Sequence, residues 1–347
     1  MSAENSTLLV VFFLGAALTL YVLFGGADYG AGVLELFRGR KLQAEQETLV
    51  NRVMGPVWEA NHIWLIIVIV ILFMGFPKVY TLTTTYLHLP LTFVLFGIVA
   101  RGCAFTFRHY DAYHEVNSQR IYSRIFRFGS LWTPFWLGVA AGALILGRID
   151  PEASTTRTLF IDPWFNIFSA SIGLFTICLF TFLAAIYLIA ESDTEALKNL
   201  FKKRALVMNA LTVLAGLLVF VTAIYSGSDL MNSFVRSRLS QVSFVTATLL
   251  LIPLWYFVIK GSGWRARLFA GAQAVAVLIG WFGARFPVIV QLKTSQLDVF
   301  QAAAPEATLR QLAWALSFGL VLIVPALVYL LRVFRTSPGK PRGNSRV

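Results

Sequence analysis

The sequence has 347 residues, of which 57% are hydrophobic and only 13% are charged, whereas soluble domains are roughly half apolar and about a quarter charged. This composition excludes an ordinary water-soluble domain, because the long apolar runs need lipid around them. The net charge of +12 does not indicate a nucleic-acid partner, since no basic run is interleaved with aromatic residues and the basic residues of membrane proteins collect in the loops of one face.

Nine segments of the chain are apolar and long enough to cross a bilayer, for which roughly 20 residues are needed. They cover, within a few residues, 8–34, 57–76, 81–107, 128–146, 165–190, 205–226, 242–260, 268–286 and 309–334. These segments predict an all-α polytopic membrane protein with about nine transmembrane helices, arranged in two four-helix groups plus a peripheral helix. We expect the first segment to be retained, since residues 1–7 carry no basic residue and so lack the pattern of a cleavable signal.

The polar segments suggest how the chain is divided. We expect an N-terminal helical group with the polar cluster over 1–190, a cytoplasmic connector over 191–204, a C-terminal helical group over 205–335 and a disordered cytoplasmic tail over 336–347. Most of the 29 Lys and Arg residues fall in the loops that follow the odd-numbered segments. This asymmetry predicts that the N-terminus lies outside and the C-terminus in the cytoplasm.

Two ionisable residues lie inside the first and third segments, where charges are costly and often functional. Asp28 sits in a run of small residues, 25–32, that lets a neighbouring helix come close. It is either a carboxylate of a proton relay or part of a packing motif in which it pairs with an arginine. Arg101 could neutralise Asp28, Glu59 or a haem propionate of a partner protein; alternatively, it extends to the membrane interface as long basic side chains do.

A polar cluster opens the second segment. Glu59 and His62 are three residues apart and therefore neighbours on a helix, with Trp58 and Asn61 beside them. A carboxylate, an imidazole and an amide at membrane depth can relay protons, because Glu and His both titrate near neutral pH when desolvated. We favour this interpretation over an interfacial cap, in which Trp58 and Trp64 lie in the aromatic belt and Glu59 lies in water.

The order of the segments brings these side chains to one end of the bundle. The first and third segments run in one direction and the second returns, so Asp28 and Arg101 should meet Glu59 and His62 near the predicted cytoplasmic face. A route that draws protons from the cytoplasm would open at that place.

Haem ligation by this chain alone is not expected. A membrane haem usually takes two axial ligands from facing helices, and the two histidines that could lie at membrane depth, His62 and His88, are expected at different depths. Neither Cys103 nor Cys178 lies in a CxxCH motif, which excludes a covalent c-type haem, and both thiols are expected to be buried in apolar runs. We therefore expect no haem, no metal and no catalytic residue in this chain.

Several motifs resemble those of a known family. They are 25–34 (Gly-Gly-Ala-Asp-Tyr-Gly-Ala-Gly-Val-Leu), Asn51 with 55–66 (Gly-Pro-Val-Trp-Glu-Ala-Asn-His-Ile-Trp-Leu-Ile), Arg101 with 107–108, 129–138 with 162–166, and 285–287. Over essentially the whole chain, the sequence resembles subunit II of the cytochrome bd ubiquinol oxidases, including their cyanide-insensitive branch. It departs from the best-known members at Glu59, where they have Asp, and at His62, where Gln is common.

The resemblance implies a complex that oxidises quinol and reduces dioxygen to water in the bacterial cytoplasmic membrane. Subunit I would carry haems b and d and the main quinol site, and this chain would be its haem-free partner. It would contribute an assembly scaffold and a cytoplasmic path for proton uptake, with Glu59 at the matching position. The candidates for the path are Glu59, His62, Asp28 and Asn61, and those for structural support are Arg101, Trp58 and Trp64. The resemblance also allows a structural quinone, membrane lipids and a small single-helix subunit as partners.

Two other functions are compatible with the residues taken by themselves. An ion-coupled secondary transporter would bind its coupling ion at Asp28 and Glu59, and paired interruptions in the two halves of the chain, which the sequence does not show, would support it. A stand-alone di-haem membrane cytochrome would use His62 and His88 as ligands.

Overall fold

The computed structural model describes residues 2–37, 42–55, 58–110 and 116–336. Within these ranges, nine helical spans are long and apolar enough to cross a membrane, which confirms the predicted all-α polytopic fold. The predicted tail beyond residue 336 lies outside the described residues. The grouping into two four-helix sets and the division of the chain at 191–204 remain predictions.

The first span is continuous but not uniform. It consists of α1 (Ala3–Leu20), a π-helical turn (Tyr21–Gly25), α2 (Gly26–Leu34) and a 3₁₀ turn (Glu35–Phe37). Single π turns inside α-helices occur frequently at functional sites. The remaining elements, in chain order, are α3 (Gln43–Met54), α4 (Trp58–Gly75), α5 (Pro77–Tyr86), α6 (His88–Tyr110), α7 (Val116–Leu146), α8 (Thr156–Phe160), α9 (Ile167–Glu191), α10 (Glu195–Tyr225), α11 (Leu230–Arg236), α12 (Arg238–Leu249), α13 (Leu251–Lys260), α14 (Gly263–Arg285), β1 (Val288–Gln291), β2 (Gln296–Asp298), α15 (Val299–Ala302) and α16 (Glu306–Thr336).

Local sequence explains where several helices begin and end. Asn166 accepts a hydrogen bond of 2.8 Å from the Ser169 amide at the start of α9, and Thr194 accepts one of 3.3 Å from the Leu197 amide at the start of α10. Such side chains satisfy amides that have no partner in the first helical turn. At the other end of a helix, Gly261 stops α13 in the left-handed conformation, with φ of 75°.

Some helix boundaries differ from the sequence prediction. The predicted third span begins at residue 81, whereas α5 ends at Tyr86 and α6 begins at His88. Hydropathy did not reveal this break because both flanks are apolar or neutral. In addition, α7 and α10 each have 31 residues, a length of about 46 Å, and so extend beyond a hydrocarbon core of about 30 Å. The helix α10 begins at Glu195, ten residues before the predicted start of the sixth span.

The helix α9 lies at the centre of the bundle and is the most buried of the nine described spans. It packs against α2, α7, α10 and α14. Small residues allow two of these approaches: a Cβ on Gly30 would lie 2.0 Å from the carbonyl oxygen of Phe180, and one on Gly138 would lie 2.7 Å from the Cα of Gly173. Because α2 is pressed onto α9 in this way, the small-residue run around Asp28 faces the interior.

The two halves of the chain are joined at the end opposite to most of the basic loops. The strands β1 and β2 form an antiparallel hairpin, next to which Leu292 pairs with Ile149, and Lys293 makes a 2.8 Å ion pair with Asp150. The hydrogen bond from Lys293 lowers the pKa of the Asp150 carboxyl, and the carboxylate raises the pKa of Lys293. From there α16 returns along the bundle against α1 and α4.

One expectation about the thiols is wrong. Cys178 is buried, but Cys103 is exposed on α6. An apolar run in a soluble protein is mostly core, whereas a membrane helix also carries apolar residues on the side that faces lipid or another subunit. Hydropathy does not separate these two environments.

Candidate functional site at the ends of the first and third spans

A buried ion pair joins the first span to the third. Nη2 of Arg101 donates to Oδ1 of Asp28 at 2.7 Å and to the Asp28 carbonyl oxygen at 3.2 Å. The two side chains are 2% and 0% exposed. Nε of Arg101 donates to the Ser130 hydroxyl on α7 at 2.9 Å. Among the partners that the sequence left open for Arg101, the structure therefore places Asp28 in contact with it.

Aromatic rings enclose the Arg101 guanidinium. Its Cζ lies 4.7 Å from the ring centre of Tyr29 and 4.8 Å from that of Phe126. A cation over an aromatic face is stabilised by the ring quadrupole, more so when both are removed from water. The charge is thus held by a carboxylate, a hydroxyl and two rings, all fixed by packing, which is the environment a buried charge requires.

A second ion pair lies toward the end of the same helices. Arg108 Nη1 is 3.2 Å from Glu35 Oε2, both side chains are buried, and Arg108 also donates to the side-chain oxygen of Asn51. Its Cζ lies 4.6 Å from the ring centre of Phe126, so this ring contacts both guanidinium groups. We call the two pairs, Asp28–Arg101 and Glu35–Arg108, the ion-pair ladder.

The regular spacing of the ion-pair ladder was visible in the sequence. Glu35 follows Asp28 by seven residues and Arg108 follows Arg101 by seven, which is about two helical turns or 10.5 Å in both helices. Arg108 was included in a motif predicted from the sequence, but Glu35, which ends an apolar run, was not considered. The matching interval is the signal that could have identified it.

Residues from α3 and α10 hold the end of the first span. Gln46 on α3 donates to the Leu34 carbonyl oxygen at 2.9 Å, and Arg204 on α10 donates to Gln46 Oε1 at 3.0 Å. Arg204 also donates to the carbonyl oxygen of Phe37. These bonds satisfy carbonyls that a helix end leaves without partners. Neither Gln46 nor Arg204 was identified as a site residue from the sequence.

The second span brings His62 to the ladder but not Glu59. The imidazole of His62 lies against Tyr29, with ring centres 5.7 Å apart, and against Trp58, at 6.4 Å. Asn61 is buried, whereas Glu59 is exposed on the outer side of α4. Asp28, Arg101 and His62 thus converge as predicted, while the Glu59 carboxylate points away from them in this single chain.

The tryptophans of α4 occupy different positions. Trp58 is partly buried and packs on Phe105 of α6, with ring centres 5.5 Å apart, and over Gly102. Trp64 is only 5% exposed and belongs to the hydrophobic core that contains Tyr29. Of the motif that carries these residues, Pro56 and Val57 lie outside the described part of the chain.

The structure separates His62 and His88, the two histidines that could have been a pair of haem ligands. His88 begins α6, where its Nδ1 is 2.8 Å from the Thr85 carbonyl oxygen and its ring packs on Phe160. Arg101, which is close to His62, lies thirteen residues further along α6, or about 20 Å away along the helix axis. His62 and His88 are therefore too far apart to be the two axial ligands of one haem. Among the described residues, no group of three potential metal ligands is found.

Comparison with known proteins assigns the chain to a family. The family model for cytochrome bd terminal oxidase subunit II matches residues 6–334. The chain belongs to the cytochrome bd terminal oxidase subunit II family. It is therefore one subunit of a bd-type terminal oxidase, a quinol:oxygen oxidoreductase complex of aerobic respiration. This membership decides against the ion-coupled transporter and against the stand-alone di-haem cytochrome.

Individual relatives agree with this assignment. The chain is 26% identical to cytochrome bd ubiquinol oxidase subunit 2 of Bacillus subtilis, over 94% of both proteins. It is 29% identical to cytochrome bd-I ubiquinol oxidase subunit 2 of Escherichia coli K12, over 38% of this chain and 34% of that protein. A chain in the structure of the bd oxidase from Geobacillus thermodenitrificans has the same fold, with a TM-score of 0.77, 19% identity, and 95% and 98% of the two chains covered.

Proposed function

We propose that this subunit II supplies the proton-uptake route of its oxidase and delivers protons to the haem-bearing subunit I. The observation that carries the proposal is the position of Glu59 at the start of α4. The carboxylate is exposed, yet one helical turn away His62 lies against Tyr29 and the ion-pair ladder. Glu59 is the group that takes up protons, and His62 with Asn61 forms the polar side of the route.

The surface around Glu59 fits a protein partner. Along α4, Glu59 is followed on the same helix face by Ile63, Ile66, Val70 and Phe73, at intervals of four, three, four and three residues. All are exposed, Ile66 by 57%. We propose that subunit I covers this stripe, so that Glu59 becomes desolvated at the interface. Loss of water disfavours the ionised carboxylate, which allows it to accept and release protons near neutral pH.

Charge distribution supports the direction of uptake. The end of the bundle that contains Glu59 also carries basic side chains, which in the described residues include Arg52, Lys202, Arg204 and Arg267. Loops rich in Lys and Arg stay in the cytoplasm. We therefore place this end in the cytoplasm of a bacterial cell and the N-terminus outside.

The resemblance to the family implies that subunit I holds haems b and d. The separation of His62 and His88 in this chain is consistent with that assignment, because the two cannot ligate one haem together. Membrane lipids would cover the remaining exposed apolar helix faces. A structural quinone and a small single-helix subunit, which the resemblance allows, have no set of described residues that favours them.

Replacing Glu59 with Gln tests the route. The side chain keeps its shape and loses its titratable proton, so oxygen consumption of the assembled oxidase should fall by about a hundredfold or more, since a positioned acid–base group typically contributes about 10²–10⁴-fold. Haem content and the yield of the complex should stay at the wild-type level. Glu59→Asp should retain activity, and Glu152→Gln, at an exposed loop carboxylate, is the matched control. Unchanged turnover of Glu59→Gln across the pH range would contradict the proposal.

A further inference from the structure

Polar atoms without protein partners collect beside the ion-pair ladder. Five buried atoms in this part of the described chain make no hydrogen bond: the hydroxyls of Tyr21, Tyr29 and Thr133, Oδ2 of Asp28 and Nδ1 of His62. Buried polar groups almost always have a hydrogen-bond partner, in the protein or in ordered water. Five such atoms in one neighbourhood indicate a shared ligand rather than five separate defects.

Three of these groups, the hydroxyls of Tyr21, Tyr29 and Thr133, face one another. The Tyr21 and Tyr29 hydroxyls approach each other, and Tyr29 also faces the Thr133 hydroxyl, without closing hydrogen bonds. Tyr21 begins the π-helical turn, and its ring lies over Gly25, where a Cβ would be only 2.9 Å from the ring atoms. The π turn and the missing side chain at Gly25 thus direct the Tyr21 ring along the helix toward Tyr29.

The chemistry of the five groups fits water. Hydroxyls donate and accept hydrogen bonds, the free Asp28 oxygen accepts, and an imidazole nitrogen does either according to its tautomer. A buried water molecule typically makes about three hydrogen bonds to such groups. A metal cation is disfavoured because the Asp28 carboxylate is already paired with Arg101, whose positive charge lies within the same cluster.

We propose that Tyr21, Tyr29, Thr133, Asp28 and His62 bind a small cluster of internal water molecules, and that this hydrated site is an inner branch of the proton route. The inference rests on the uptake role proposed above for the Glu59 end. Tyr21 precedes Asp28 by seven residues, so the branch extends about 10 Å from the ladder toward the middle of the membrane. Each hydroxyl or water passes on one proton as it receives another, so no group gains or loses net charge after a transfer.

The test uses Tyr29→Phe and Tyr21→Phe in the assembled oxidase. Each variant keeps the aromatic ring, including the contact of Tyr29 with Arg101, and removes one hydroxyl. Turnover should fall up to about tenfold, the kinetic equivalent of one lost hydrogen bond of about 1.4 kcal/mol, and the ratio of rates in H₂O and D₂O should rise. A purely structural role would not change this isotope ratio. Tyr225→Phe, at a side chain that is 85% exposed, is the matched control and should behave as wild type.

Infrared difference spectra provide a second measurement on the same proteins. The wild-type oxidase should show O–H stretching bands of internal water that shift in H₂¹⁸O, and both variants should lose or displace them. Wild-type bands together with wild-type isotope ratios in both variants would overturn the inference. If Glu59→Gln has reduced turnover while both tyrosine variants behave as wild type, only the inner branch is rejected. If the tyrosine variants have reduced turnover and Glu59→Gln does not, the hydrated site is supported and the uptake role of Glu59 is rejected.

Discussion

Replacing Arg101 with alanine leaves the Asp28 carboxylate in the middle of packed helices without its guanidinium partner. Asp28 is 0% exposed, so water cannot substitute for the lost charge. Removing one member of a buried pair typically costs about 3–5 kcal/mol. The variant also loses the contacts of the guanidinium with Tyr29 and Phe126, each worth about 0.5–2 kcal/mol. The total is a large fraction of a typical folding stability of about 5–15 kcal/mol.

The expected result is a defect of assembly rather than of chemistry. Membranes that express Arg101→Ala should contain much less oxidase complex, measured as haem spectra per membrane protein, and the residual enzyme should lose activity at lower temperature. Its turnover per haem should remain closer to that of the wild type. The matched control is Arg157→Ala, because Arg157 forms an exposed pair with Asp162, and such surface pairs contribute little.

A double variant separates the ion pair from simple loss of volume. In Asp28→Asn combined with Arg101→Gln, no charge is left unpaired, and neutral replacements of a buried pair are often tolerated. Assembly should therefore recover in part relative to Arg101→Ala. If Arg101→Ala assembles to the wild-type level with unchanged thermal stability, the pair does not hold the first and third spans together and the reasoning is wrong.

Two further predictions follow from the packing and from the hairpin. Gly30→Ala places a methyl group about 2 Å from the Phe180 carbonyl and should prevent assembly, whereas Gly15→Ala, with no atom within 4 Å, should leave the yield of complex unchanged. Because Lys293 lowers the pKa of Asp150, their pair stabilises the hairpin above the ordinary carboxyl pKa and is lost as the pH falls through the lowered value. The protection factors of the hairpin amides, which correct hydrogen exchange for its intrinsic pH dependence, should therefore fall in acid, and Asp150→Asn should show the lowered protection already at neutral pH. Wild-type protection factors that do not change with pH would contradict this.

The number of spans and the class of fold could be predicted because the bilayer imposes them. A helix that crosses lipid must be long and apolar, and a hydropathy profile detects such segments directly. The same logic did not resolve the break around Leu87 or the exposure of Cys103, because lipid-facing and core-facing positions are both apolar. The hairpin that carries Lys293 contacts Asp150, which is far away in sequence. No local sequence pattern predicts a contact of this kind.

The candidate site was predicted in part for a comparable reason. Asp28, Arg101 and His62 were recognisable because charged and imidazole groups are rare at membrane depth. Glu35 was not predicted because it ends an apolar run, although the seven-residue interval from Asp28 to Glu35 equals the interval from Arg101 to Arg108. The partners Gln46 and Arg204 come from other helices, and only the packed structure shows which helix ends they reach.

The ion-pair ladder also affects how this subunit responds to the electric field across a respiratory membrane. When one unit charge is moved across a membrane with a potential of 100 mV, its electrostatic energy changes by about 2.3 kcal/mol. The ladder buries two carboxylates and two guanidinium groups, yet each rung is neutral, so the first and third spans can shift together without carrying net charge through the field. The subunit can thus keep four charges in the low-dielectric interior while changes in voltage exert no net force on the two neutral ion pairs.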